Sequence, residues 1–232
     1  MPEVLMLMDT PISLYYLFWF LGIAAAVAVG CYLGNRNGIG FAHTVFAIAG
    51  TVSMGLLLMW LTSIIIGGGQ VNGINFVRIS LYLPVPIYIL SKIFREPFGK
   101  LADTLAPLPP LIHGIGHIGC IFPGCCYGYP CSWGLYSNSA GAVCFPVQLL
   151  EAAAYILTAV LLVVWHIRGK QKGRLFAWYL TLFGFSRFVL EFFRDNEKIW
   201  LGMSEFAFHS LAAMIIGILA IILISRRLRK EE

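Results

Sequence analysis

Long apolar stretches alternate with short polar breaks along almost all of the 232 residues. Crossing the roughly 30 Å hydrocarbon layer takes about 20 apolar residues in a helix. Seven stretches meet that need, near residues 14–33, 41–66, 77–94, 105–122, 147–167, 175–193 and 206–224. The fourth is interrupted by Pro107, Pro109, Pro110 and several glycines, which work against one straight helix. Composition agrees with this pattern. Hydrophobic residues make up 59% and charged residues 12% of the chain, where soluble domains carry about 25% charged. The mean hydropathy of +0.82 points the same way. The expectation is one all-α integral membrane bundle of seven helices spanning residues 1–232, with no internal repeat or separate soluble domain.

Charge orients the bundle, because short loops rich in Lys and Arg stay on the cytoplasmic side. Alternate breaks hold Arg36; then Lys92, Arg95 and Lys100; then Arg168, Lys170, Lys172 and Arg174; and last Arg226, Arg227, Arg229 and Lys230. Those are twelve of the 16 Lys and Arg. An outer N-terminus and a cytoplasmic C-terminus follow, and the net charge of +5 reads as topology and calls for no nucleic acid. Pro2 and Glu3 open the chain with no basic segment, so a cleaved signal peptide is not expected.

Between the fourth and fifth stretches lies GHIGCIFPGCCYGYPCSWG, residues 116–134, with Cys120, Cys125, Cys126 and Cys131; Cys144 follows. On the outer face thiols can oxidise. The spacing C-x4-C-C-x4-C-x12-C is not that of a zinc ribbon or finger, so no metal or other cofactor is expected. A Cys131–Cys144 disulfide is one reading, although pairing does not follow from sequence. Small apolar cysteines packed beside glycines are another.

Ionisable groups within apolar stretches carry more information, since a charge at the bilayer centre costs about 2.5–3.5 kcal/mol on insertion scales. In FGFSRFVLEFFRDNEK, Arg187, Glu191 and Arg194 share one helical face. Such a row suits a phosphate, which Arg binds bidentately, with Glu191 orienting one guanidinium. In FPVQLLEAAAY, Pro146 starts a helix, and Gln148 and Glu151 follow on one face. If these two helices are neighbours, Glu151 faces the arginines.

These two segments, with GHIGCIFPGCCYG before them, resemble the prolipoprotein diacylglyceryl transferase family from about His113 to Arg194. The cysteine stretch fits a branch with the pattern Gly-Cys-x-x-x-Gly-Cys-Cys-Tyr-Gly. The resemblance implies transfer of the diacylglyceryl group of phosphatidylglycerol to a cysteine thiol of a secreted prolipoprotein. The reaction releases glycerol phosphate at the outer leaflet of the bacterial inner membrane. It also assigns roles. By matching positions, Arg187 and Glu191 become catalytic, and Arg194, Gln148, Glu151, Gly116, Gly119, Gly124 and Gly128 bind substrate; from the chain's own residues, His117 is added as catalytic and Arg78 as substrate-binding.

The chain departs from the family pattern in its donors. His117 stands at the signature Arg, Cys120 at the signature Asn, Cys125 at a Glu, Phe183 at a Tyr, and Phe145 and Leu150 at a His and a Tyr. His117, with a near-neutral pKa, and Arg78 are the residues expected to cover the gap. Those substitutions leave two other readings: glyceride or glycerophosphate transfer to a different acceptor, or a lipid-binding or thiol-redox membrane subunit without catalysis.

Overall fold

The computed structural model describes residues 4–7, 10–66 and 75–231; Pro2 and Glu3 lie outside them. A short hairpin of β1 (Val4–Leu7) and β2 (Thr10–Ser13) leads into α1 (Leu14–Arg36), followed by α2 (Phe41–Ile66). Next come α3 (Phe76–Tyr82), α4 (Pro84–Ile93), α5 (Phe98–Leu105) and α6 (Leu108–Gly119). An antiparallel pair, β3 (Pro130–Ser137) and β4 (Ala142–Cys144), separates α6 from α7 (Val147–Ile167). α8 (Leu175–Glu191) and α9 (Glu205–Glu231) complete the order. The chain is mostly helical, consistent with the all-helical expectation, and carries two short hairpins besides. Residues 130–137 and 142–144 pair as antiparallel strands, with a register shift between Pro130 and Leu135.

Among the described residues four helices, α1, α2, α7 and α9, are long and apolar enough to cross a membrane, and α3 with α4 makes a fifth if the bent pair is one span. The 40° bend falls where Pro84 and Pro86 remove backbone donors and crowd the preceding turn. α8, with 17 residues, falls just short of that length. The fourth apolar stretch is corrected to a 12-residue helix, about 18 Å long. Pro109 and Pro110 fit its first turn but cannot extend it backwards, so the chain turns at Ala106 and Pro107 into the separate α5.

Helix contacts are close where residues are small. A Cβ at Gly116 would lie 2.8 Å from the Trp19 ring, so α1 and α6 meet at that glycine. The interior is filled by Tyr155, Tyr179, Phe183, Leu162, Leu101 and Ile87. Phe20, Ile65, Leu157 and Leu223 instead face outward, an arrangement that bulk water would penalise and lipid does not. The chain is a helical membrane protein.

The basic breaks gather at one end of the bundle. Arg36 donates to the Ile167 carbonyl, Asn37 contacts Thr104 and His166, and Arg174 donates to Ser225. There Asp103 accepts from the Gly173 and Leu175 amides, capping α8 from a neighbouring helix. The cysteine loop and the ends of α6, α7 and α8 that carry His117, Glu151 and Arg187 lie at the other end.

Candidate functional site

Glu151 is the centre of this second end. It sits one turn into α7 with no solvent exposure. Arg187 Nη1 donates to its Oε1 at 2.7 Å, and Arg194 reaches both oxygens, through Nε at 3.2 Å and through Nη2. His117 Nε2 lies 3.3 Å from Oε2. Arg187 also touches Glu191 Oε2 at 2.7 Å, and Glu191 Oε1 accepts from Asn196 at 2.6 Å and from Ser204. Two arginines and two glutamates balance, as burial demands of charges this far from water. The expected approach of Glu151 to the arginines is thus a close, two-sided grip.

His113 and His117 link this cluster to a cavity. Their Nε2 atoms are 2.8 Å apart, and both Nδ1 atoms are buried without a hydrogen-bond partner. Phe76 stacks on His113 at 4.1 Å and Tyr155 at 4.9 Å. The cavity, about 750 Å³, is lined at its polar end by His113, His117, Tyr15 and Cys120, Cys125 and Cys126. Its remaining wall is almost wholly apolar, running along α1, α2, α3 and α4 past Ala26, Ile48, Ile79 and Ile87 to Leu105. Tyr16, Ile23, Val52 and Leu56 belong to this wall and also face outward, so the cavity opens sideways, where lipid would lie.

Other residues singled out from sequence act on the loop. Gln148 Nε2 donates to the Cys125 carbonyl at 2.9 Å. Gly128 passes between two chain segments: its N–H donates to Phe145, the Tyr129 N–H donates to Phe193, and a Cβ there would lie 2.6 Å from the Phe193 oxygen. That pairing fixes Arg194, which bridges to Gly128. Protein also fills the space beside the other three signature glycines: Trp19 at Gly116, Phe18 and Tyr15 at Gly119, and Ser137 and Asn138 at Gly124. Arg78 has different partners, donating to Ser63 at 3.2 Å and to Glu205, which also lies near His209.

The Cys131–Cys144 disulfide is corrected: both are free thiols. Cys144 lies opposite both Pro130 and Leu135 across a register shift in the ladder, and the Cys131 thiol donates instead to the Trp133 carbonyl. Cys126 has a left-handed backbone, with φ 60°. Hydrogen bonds from Cys120 and Cys125 hold its thiol well below the usual thiol range against its burial, and the charges of Arg194 and His117 act in the same direction. Sequence spacing could not show this, since Arg194 is 68 positions away. Tyr155, Asn196 and Ser204 were also missed. Tyr155 alone left a signal, lying one helical turn after Glu151.

The model of the prolipoprotein diacylglyceryl transferase family matches residues 2–223. The chain belongs to this family. A phosphatidylglycerol–prolipoprotein diacylglyceryl transferase of Clostridium tetani is 28% identical over 217 residues, covering 85% of this chain and 87% of that one. A transferase of the same name from Geobacter sulfurreducens is 26% identical over 250 residues, covering 92% and 91%. The second such transferase of Clostridium perfringens is 30% identical over 140 residues, covering 57% and 55%. Family membership makes the chain a transferase, and extends the resemblance seen from His113 to Arg194 over nearly the whole length.

Proposed function

We propose that this protein moves the diacylglyceryl group of phosphatidylglycerol to a cysteine thiol of a prolipoprotein at the outer leaflet of a bacterial inner membrane. The observation that carries this reading is a laterally open apolar cavity ending at His113 and His117, the second of which touches a buried Arg–Glu–Arg cluster. Acyl chains would lie along the apolar wall and the glyceryl carbon at its polar end. Seven spans, with α6 and the loop after it completing the fourth, and an outer N-terminus fit this orientation.

The reaction forms one carbon–sulfur bond and breaks one carbon–oxygen bond. The acceptor sulfur attacks the glyceryl carbon that bears the phosphate, and glycerol phosphate leaves with the bonding pair. Charge grows on the phosphate oxygens, so pre-placed guanidinium groups lower the barrier. Both carboxylate contacts of Arg187 use Nη1, which leaves Nη2 and Nε for the phosphate. Glu151 holds His117 by Nε2, so Nδ1 is the atom available to take the thiol proton. This arrangement uses the histidine that replaces the signature arginine as a base.

The test incubates the purified protein with phosphatidylglycerol and a short lipobox peptide, then reads peptide mass and released glycerol phosphate. A thioether-linked diacylglyceryl adduct that disappears in Arg187→Ala is the expected result. Phospholipid binding with neither product would overturn the reading and favour a different acceptor.

A further inference from the structure

Cys120, Cys125 and Cys126 have no part in the mechanism above, yet their sulfurs lie within 4.8 Å of one another. Among the described residues they are the group of three metal-ligating side chains that comes this close. The approach is built by the loop. Cys120 ends α6, with its N–H donating to Gly116. Gly124 and Cys126 both take left-handed backbone, with φ 71° and 60°, and turn the chain back onto the helix end. Ser137 Oγ donates to the Gly124 carbonyl at 2.6 Å, and Gln148 pins the Cys125 carbonyl. Left-handed backbone at a non-glycine residue costs about 1–3 kcal/mol and persists where surrounding structure enforces it. Here it delivers the third sulfur.

Zinc–sulfur bonds of about 2.3 Å in a tetrahedron set sulfurs about 3.8 Å apart. The three thiols need only small side-chain rotations to reach that separation from within 4.8 Å. All three line the polar end of the cavity, which leaves the fourth position facing the space where an acceptor would enter. Three thiolates on a divalent ion carry net negative charge, and Arg194, whose charge already acts on Cys126, offsets it.

We propose that Cys120, Cys125 and Cys126 bind one Zn²⁺ whose open fourth position takes the acceptor thiol as a thiolate. This role rests on the transferase reading above. The acceptor's proton passes to His117 Nδ1 as its sulfur binds, and the sulfur lone pair then forms the bond to the glyceryl carbon. The carbon–oxygen pair leaves with glycerol phosphate. The thioether product is a neutral, weaker ligand and departs, so no oxidant or reductant is consumed. The residue types fit, since soft thiolates select zinc over magnesium or calcium.

The experiment titrates Co²⁺ alone into detergent-purified, chelator-treated protein kept reduced with a phosphine. One equivalent of thiolate-to-cobalt charge-transfer absorption, displaced by Zn²⁺, is expected. Cys126→Ser should weaken binding by at least about tenfold, while Cys31→Ser leaves it unchanged. A second readout needs no variant: Zn²⁺ should protect three thiols of the wild-type chain from alkylation, counted by mass. Absent charge transfer in protein with all thiols reduced overturns the site, as does full absorption in Cys126→Ser. A disulfide within the trio that forms in air and persists with Zn²⁺ present would overturn it in favour of a redox pair. The two readings separate cleanly. Cobalt binding without lipid transfer keeps the site and removes the transferase; wild-type transfer by the metal-free protein keeps the transferase and removes the role of zinc.

Discussion

One carboxylate at Glu151 is shared by two guanidinium groups and an imidazole, so single substitutions there have unequal consequences. Glu151→Gln keeps the shape and removes the charge, leaving Arg194 without its carboxylate. Uncompensated buried charge costs about 3–5 kcal/mol, so thermal unfolding in detergent should show a lower midpoint for Glu151→Gln than for the parent. Arg187→Ala leaves Glu191 the donors Asn196 and Ser204. That variant should stay folded yet lose transfer by at least about a hundredfold, the scale of one lost transition-state donor, in the peptide mass assay. Lys at 187 supplies charge without the planar fork and should restore only part of the rate. Cys131→Ser changes a half-buried thiol of the hairpin that donates to the Trp133 carbonyl and should lower stability without removing turnover. A folded Cys131→Ser protein with no transfer would overturn the scaffold role of that hairpin.

Among the elements, α6 depends on close approach. A methyl group at Gly116 would press on the Trp19 ring, and overpacking costs about 1–3 kcal/mol. Gly116→Ala should therefore lower the unfolding midpoint and, by tilting α6, displace His117 and raise KM for the phospholipid. At the opposite end, Asp103 caps α8 with its carboxyl. Burial pushes that carboxyl up from its ordinary 3.8 to about 6, against the lowering effect of the Gly173, Leu175 and Phe176 amides and the Arg174 charge. The sign follows from proton binding. The folded state holds the proton more tightly than the unfolded chain, so this contribution is complete below 3.8 and lost as pH rises through about 6. Across that window the wild type should lose unfolding temperature relative to Asp103→Asn; the opposite slope would show that the amides outweigh burial.

For the whole molecule, polarity is the decisive feature: basic loops at one end, cysteines and the Glu151 cluster at the other. In right-side-out vesicles an impermeant maleimide should label a Ser139→Cys variant without lysis, above the background of the parent chain. Lys170→Cys should react only after lysis. The reverse pattern would invert the bundle and place the candidate site on the cytoplasmic side. A cavity that opens sideways suits substrates that arrive within the bilayer plane, and both the apolar wall and the exposed outer helix faces follow from one composition.

Local pattern was enough to locate most helices, because each apolar stretch is read by the membrane independently of its neighbours. α2 and α7 begin and end where the polar breaks set them. Family resemblance and helical spacing likewise put Arg187, Glu191, Arg194, Glu151 and His117 under suspicion. Short-range backbone geometry was less legible: the split at Pro107 and the 130–144 hairpin depend on what they pack against. Tertiary structure alone decided which charges meet. His117, Glu151 and Arg194 come from α6, α7 and the turn after α8, and only glycines thin enough for close contact let those ends converge. It also decided the fate of the cysteines. A C-x4-C-C spacing says nothing about distance until two left-handed residues fold the loop back, and Cys131 and Cys144 are free thiols in a ladder whose register shifts between Pro130 and Leu135.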